Sequence, residues 1–357
     1  MIQAELAEEY GVPRPVSLQV LYSVDWSTIG AIAYLSSLLR SAANELGFAV
    51  FFCRVDSMTI RGVFAPVPTP FTDTGELNLV GWRSNVSRWM ATGLHGLVVL
   101  GSNGEAPLVD DDEAEMLIGE ARQRIPSDRL LIAGTGRQST RATIAASRRA
   151  ARVGADAVLV RTPSYFRGQM TTSAFVGHYT AVADASPIPV LLYNFSALTG
   201  VTLPVDAAAA LAVHENVVGL KESGPDLSYV GDLVGLATDG FSVLVGSAPT
   251  FLSSLALGAD GGIMALACVA PDSCLQIYES VRTGCYDEAR KIQRSVTPLA
   301  KLVTSIYGIP GLKAALAESG YVGGRPRLPL QPIEDGAVAQ IRAQVAELSV
   351  MPFSVTS

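Results

Sequence analysis

Lysine is scarce in this chain, and one of the few has an unusual place. The 357 residues include only Lys221, Lys291, Lys301 and Lys313. Lys291 and Lys301 lie in polar, helical surroundings and read as solvated surface charges. Lys313 follows Gly311-Leu312 and reads as structural. Lys221 instead closes the apolar run Val217-Val218-Gly219-Leu220. Burial at a strand end disfavours the ammonium and lowers its pKa, leaving a nucleophilic amine near neutral pH. Such an amine condenses with a ketone, and the protonated imine then draws electrons from the neighbouring C–C bond. Taken by itself, the residue is equally compatible with a packed, non-catalytic lysine.

Two further groups have types suited to that chemistry. Tyr193 ends the apolar run Pro189-Val190-Leu191-Leu192. A phenol there either packs with a bonded tip or moves protons to and from a reacting oxygen. The stretch Gly101-Ser102-Asn103-Gly104-Glu105 offers backbone N–H groups and short side chains close to a helix start, which suits a carboxylate. It is also an ordinary turn composition. The three histidines read away from any strand end: His95 precedes a strand, His178 lies within a helix and His214 just after one. No metal site is therefore expected, because metal-dependent aldol chemistry needs clustered His and carboxylate ligands. Cys53, Cys268, Cys274 and Cys285 form no C-x-x-C pair, and reduced core thiols are expected.

These groups need a scaffold, and the hydrophobic pattern supplies one. Apolar runs cover 62–67, 96–100, 130–134, 156–161, 189–193, 217–221, 242–246 and 260–265, about thirty residues apart. Amphipathic stretches lie between them, at 78–92, 110–124, 139–153, 173–185, 204–213, 225–237 and 249–257. Runs apolar throughout are strands buried on both faces, as in a parallel sheet. Eight βα units predict a closed (β/α)8 barrel of class α/β over 58–270, with an open doubly wound sheet as the rival. Helical stretches at 272–283, 286–303, 308–318 and 333–347 predict a C-terminal helical extension over 271–357. In a barrel, chemistry belongs to the C-terminal ends of the strands. Those ends present one amine, the phenols Tyr165 and Tyr193, and small hydroxyls that include Ser223 and Ser247.

Composition narrows the partners. Charged residues make up 17% and the net charge is -7, so no basic surface for nucleic acid is expected. Residues 1–57 read differently from the rest. The stretch 29–35 is apolar but too short for a membrane span. Glu5, Glu8 and Glu9 suit neither a secretory signal nor an import sequence. This segment reads as a dispensable extension ahead of Met58, with an oligomerisation or docking helix as the rival reading, and a polypeptide starting at Met58 is expected to fold and act normally.

From about Arg61 to Pro332 the chain resembles the dihydrodipicolinate synthase / N-acetylneuraminate lyase family of class I, pyruvate-handling aldolases. The resemblance rests on Pro66-Val67-Pro68-Thr69-Pro70-Phe71, Gly101–Glu105, Gly154-Ala155-Asp156, Thr162-Pro163, Leu192-Tyr193-Asn194, Thr199-Gly200 and Val218-Gly219-Leu220-Lys221-Glu222-Ser223. It implies that Lys221 is the Schiff-base lysine and Tyr193 the proton relay. Ser102 and Asn103 fall on the pair that holds the pyruvyl carboxylate. Tyr165 falls near a tyrosine that family members lend across a tight dimer interface. Gly246, Ser247 and Ser223 are expected to line the substrate. The resemblance also implies no cofactor, a small 2-oxo acid as partner, a homo-oligomer (dimer or tetramer) and a cytoplasmic location.

Two departures bear on substrate. Ser102-Asn103 stands where the dihydrodipicolinate synthase branch has Thr-Thr. Dihydrodipicolinate synthases continue the tyrosine strand as Tyr-Asn-Val-Pro-x-Arg, and the arginine grips the aldehyde's carboxylate. Here the run is Tyr193-Asn194-Phe195-Ser196-Ala197-Leu198. With Arg167-Gly168, Ser186–Val190, Leu203–Asp206, Gly246-Ser247-Ala248 and Gly308–Lys313, the resemblance leans to 4-hydroxy-2-oxoglutarate aldolases. A 4-hydroxy-tetrahydrodipicolinate synthase, a 2-keto-3-deoxy sugar acid aldolase and a non-enzymatic 2-oxo-acid-binding barrel are the alternatives.

Overall fold

A computed structural model describes residues 58–350. The expectations for residues 1–57, and for Cys53, lie outside the described residues. Eight strands run in chain order: β1 Gly62–Pro66, β2 Gly96–Val99, β3 Leu130–Gly134, β4 Ala157–Arg161, β5 Val190–Asn194, β6 Val217–Glu222, β7 Ser242–Val245 and β8 Gly261–Ile263. Every neighbouring pair is parallel, and β8 returns to β1, so the sheet closes into a barrel. The open doubly wound alternative is thereby excluded, since such a sheet keeps two free edges.

Strand alternation builds two cores. Phe64, Val98, Ile132, Leu159, Leu191, Leu244 and Ile263 point into the barrel and pack on one another. Val63, Leu97, Val99, Val158, Val160, Leu192 and Val243 point out and meet the helices. Both faces are apolar, which is why the runs carry no polar alternation.

The helices between strands are α1 Leu79–Met90, α2 Asp111–Arg122, α3 Thr140–Arg152, α4 Thr172–Ala185, α5 Val205–Ala212, α6 Leu227–Val234 and α7 Phe251–Leu257. Their starts are chemically marked. Asp110 and Glu113 form a capping box on α2, and the side chains of Ser139, Thr171 and Asp226 cap α3, α4 and α6. Helix α1 buries Trp82 and Trp89 against the barrel, and the Trp89 indole donates to the Cys268 carbonyl at 2.9 Å. Truncating such a side chain costs about 3–5 kcal/mol.

After β8, helix α8 Pro271–Arg282 packs against β1 and completes the ring. Three more helices follow: α9 Tyr286–Lys301, α10 Gly308–Glu318 and α11 Asp335–Val350. A π-helical turn, Leu302–Ile306, joins α9 to α10, where the sequence pattern predicts plain helix to 303. Among the described residues no helix is long and apolar enough to cross a membrane. Cys268 and Cys274 are buried as expected, whereas Cys285 is exposed at the start of α9.

Candidate active site

Lys221 sits at the end of β6, opposite Tyr193 on β5 and Leu244 on β7. Its inward aim depends on a local irregularity. Strand β6 pairs with β5 as Val190↔Val217 and then Leu191↔Gly219, so one residue is inserted. Val217 and Leu220 consequently both face the helices, while Val218 faces the barrel interior. Uninterrupted alternation from Val218 would send Lys221 outward. The inserted residue restores the phase and turns the amine into the barrel mouth. Gly219 occupies this point because the Ser242 carbonyl lies where a Cβ would stand.

Lys221 is 4% exposed, and its amine lies 4.4 Å from the centroid of the Tyr193 ring. It makes no hydrogen bond or ion pair within the described residues. Burial pushes its pKa down to about 7, with Cys268 and then Glu222 acting the other way. Lys313 is the instructive contrast. It is as deeply buried, but its ammonium contacts the Glu105 carboxylate at 2.5 Å and the Arg325 carbonyl at 2.6 Å. Lys313 therefore holds a charge in place, while Lys221 has nothing to hold. Lys291 and Lys301 are exposed on α9.

The Tyr193 hydroxyl lies 3.1 Å from the Ser102 hydroxyl. Burial raises the phenol's pKa, and the hydroxyls of Ser102 and Ser223 oppose that rise. Ser102 and Asn103 stand in the turn after β2, where Leu100 and Glu105 both adopt positive φ. Neither backbone N–H of this pair donates within the described residues, so both remain available to a bound anion. The turn is pinned from three sides. Thr69 donates to the Gly104 carbonyl at 2.8 Å, Lys313 holds the Glu105 carboxylate, and the Arg327 backbone N–H donates to the same carboxylate at 2.7 Å. Arg327 is fixed in turn by both oxygens of Glu113 at 2.6 Å.

A second clamp sets the β5 and β6 ends. Asn194 donates to the buried Glu222 carboxylate at 2.5 Å and accepts from the Leu203 N–H at 2.9 Å. The Gly224 N–H also donates to Glu222. Burial raises the Glu222 pKa against these donors. The Gly246 N–H donates to the Glu222 carbonyl at 2.6 Å, and the Ser223 side chain lies against Gly246. Ser247 follows, nearly buried.

The structure thus brings Lys221, Tyr193, Ser102 and Ser223 together, with Asn103, Gly246 and Ser247 on the neighbouring strand ends. It does not bring Tyr165 to them. That residue is 79% exposed on the loop after β4, edge-on to the equally outlying Phe166 at 5.1 Å. Gln138 holds the loop through the N–H groups of Ser164 and Tyr165, both at 2.9 Å. Within this chain the strand ends place one phenol, Tyr193, beside the amine, and Tyr165 stands outside on the loop after β4.

They contribute instead a cation that the sequence reading passed over. Arg161 ends β4 opposite Tyr193, and its alternation with the inward Ala157 and Leu159 aims it into the barrel. The signal was the one that marked Lys221, a cation closing a buried run. The histidines lie elsewhere. His95 accepts from the Val63 N–H at 3.1 Å, His178 meets Thr140 at 2.9 Å, and His214 meets Asp184 at 3.1 Å. Among the described residues no group of three or more His, Cys, Asp or Glu could hold a metal.

Comparison with known proteins agrees with this geometry. Residues 59–348 match the model of the dihydrodipicolinate synthetase family. A 4-hydroxy-tetrahydrodipicolinate synthase of an Exiguobacterium species is 35% identical over 81% of this chain and 98% of its own length. A probable mitochondrial 4-hydroxy-2-oxoglutarate aldolase of Emericella nidulans is 34% identical over 76% of this chain and 89% of its own. The solved dihydrodipicolinate synthase of Thermotoga maritima superimposes with a TM-score of 0.78 at 31% identity, covering 82% of this chain and all of that one. An Acinetobacter baumannii dihydrodipicolinate synthase solved with pyruvate gives the same TM-score at 28% identity, over 82% of this chain and all of its own. With barrel, mouth and matched length in accord, the chain belongs to the dihydrodipicolinate synthetase family and is a lyase of the Schiff-base aldolase type.

Proposed function

We propose that this aldolase cleaves 4-hydroxy-2-oxoglutarate to pyruvate and glyoxylate, with Lys221 as the Schiff-base residue. The observation that carries the lysine assignment is a buried amine with no counter-ion, beside a buried phenol. Neutral Lys221 attacks the C2 ketone, and water leaves as the imine forms. Tyr193 carries protons during this step and takes the C4 hydroxyl proton as the C3–C4 bond breaks. Glyoxylate departs and the electrons of the broken bond become an enamine on Lys221. Protonation at C3 and addition of water release pyruvate. The N–H groups of Ser102 and Asn103 orient the C1 carboxylate, while Ser223, Gly246 and Ser247 line the outer side. The imine itself serves as electron sink, so the reaction draws on no cofactor. Tyr165, exposed in this chain, is suited to completing the mouth of a second copy in a homo-oligomer.

The choice of substrate rests on Leu198. A semialdehyde's carboxylate lies two carbons farther from the aldehyde carbon than glyoxylate's does, and Leu198, 63% exposed in the turn Ser196–Thr199, cannot pair with it there. Losing one charge-assisted pair of that kind costs roughly 2–5 kcal/mol. The Emericella aldolase at 34% identity and the Exiguobacterium synthase at 35% are about equally similar, so the choice between them rests on Leu198. A panel of 2-oxo acids assayed for pyruvate release tests it, together with condensation of pyruvate and aspartate semialdehyde. Cleavage of 4-hydroxy-2-oxoglutarate should be far faster, and comparable kcat/KM for the two reactions would sink the assignment. Borohydride reduction in the presence of pyruvate should label Lys221 and leave Lys313 unmodified.

A further inference from the structure

We propose that Arg161 binds the carboxylate on the aldehyde side of the substrate and selects 2-oxo acids that carry a second carboxylate. This rests on the reading of the mouth as a 2-oxo acid aldolase site.

The first ground is an unused guanidinium. Of the lysines and arginines among the described residues that are not exposed, only Lys221 and Arg161 have neither hydrogen bond nor ion pair. The Arg161 Nε is buried without a partner. Other partly buried arginines are fully engaged: Arg122 with Asp156 and the Ile125 carbonyl, Arg327 with Glu113, Gly75 and Leu108. A buried donor left unmade is costly. Arg161 also feels repulsion from nearby Arg137, and the groups that favour its charge are only the phenols of Tyr179 and Tyr193. A structural arginine is not built this way, whereas a residue awaiting an anion is.

The second ground is position. Arg161, Tyr193, Lys221 and Leu244 form one row across four strands. Tyr193 therefore stands between the amine and the guanidinium. Two strand spacings separate their backbones by roughly 10 Å. In 4-hydroxy-2-oxoglutarate the ketone carbon and the distal carboxylate carbon are three bonds apart, roughly 4 Å. An arginine side chain spans the remainder. Its backbone and stem lie over Gly136, where a Cβ would come within 2.6 Å of the Arg161 nitrogen and 2.7 Å of its Cγ, so any other residue there would shift the strand end that carries the guanidinium.

The third ground is elimination. Arg137 at the end of β3 is paired with Asp111 at 3.2 Å. Arg167 is exposed, with its guanidinium lying outside against Gly200 in the turn after β5 rather than buried at a strand end, and Leu198 has no charge. With Lys221 committed to the ketone, Arg161 is the one unpaired cation among the described residues that is not exposed, and its fork matches a second carboxylate in two bonds.

The test compares two aldols differing only in the distal group, 4-hydroxy-2-oxoglutarate and the neutral-tailed 4-hydroxy-2-oxopentanoate, in wild type, Arg161→Met and Arg161→Lys. Arg161→Met should lower kcat/KM for the dicarboxylate by about 30-fold or more and leave the neutral aldol unchanged. Arg161→Lys should fall between. Pyruvate capture by borohydride should stay at the wild-type level in both variants, which also reports that the mouth is folded. If Arg161→Met does not fold, Arg161→Lys and the preference of wild type for capturing 2-oxoglutarate over 2-oxobutanoate decide the matter. Equal losses on both aldols, or none on either, would overturn the role of Arg161 alone. A wild-type enzyme indifferent to the distal carboxylate would overturn both this inference and the proposed substrate.

Discussion

The acidity of Lys221 gives a test of the site that needs no mutation. An ordinary lysine titrates at 10.5, and burial brings this one to about 7. At pH 7 an ordinary lysine is neutral in roughly 1 molecule in 3000, whereas Lys221 is neutral in roughly half. Only the neutral amine attacks a ketone. The rate of covalent capture of subsaturating pyruvate, trapped with cyanoborohydride and read by intact mass, should therefore rise about tenfold per pH unit up to about 7 and then level off. A rate still climbing above pH 9 would refute the claim that desolvation activates the amine. The same shift has a thermodynamic face. Folding lowers this pKa, so between pH 7 and about 10.5 the unfolded chain holds a proton that the native state has lost. The contribution of Lys221 to stability rises with pH across that window and is least favourable below pH 7. Lys221→Met should abolish capture and stabilise the protein most below pH 7, by roughly 5 kcal/mol at the upper limit.

Tyr193→Phe should lower turnover by about 10²–10⁴-fold while thermal unfolding stays near that of wild type, because one hydroxyl leaves and the ring remains. Near-normal turnover would remove the phenol from proton transfer. Lys313→Met should cost about 3–5 kcal/mol in chemical denaturation, since it leaves the buried Glu105 carboxylate without its counter-ion. Adding Glu105→Gln should recover part of that loss; strictly additive losses would mean that the two side chains are not coupled.

Much of the barrel was legible because parallel strands buried on both faces leave uninterrupted apolar runs. Each run lies within two residues of an observed strand, and Lys221 and Tyr193 were visible as polar groups closing two of them. What stayed hidden depends on phase and on partners. The inserted residue in β6 has no signature in Val217–Leu220, yet it decides which way Lys221 points. Arg161 looked like a strand boundary because its significance is the lack of a carboxylate nearby, and sequence does not say which acids are spoken for. The Glu105–Lys313 pair spans too many residues for any local pattern to suggest it. Tyr165 matched a motif, but its side chain stands on the outer surface of its own chain.

The tether between the β2 turn and α10 bears on how this enzyme could be recombined with its relatives. Ser102 and Asn103 belong by position to the second βα unit, but the charge that fixes their turn comes from Lys313, and Arg327 seals it with a backbone donor and a grip on Glu113. A chimera crossing over after β8 would join one parent's turn to another parent's tether. On the proposed reading, such a hybrid would keep all of the reacting groups and still shift the turn that orients the C1 carboxylate. Loop grafting aimed at new substrates should therefore move residues 100–113 together with residues 308–327 as one exchangeable block, although two hundred residues of barrel separate them.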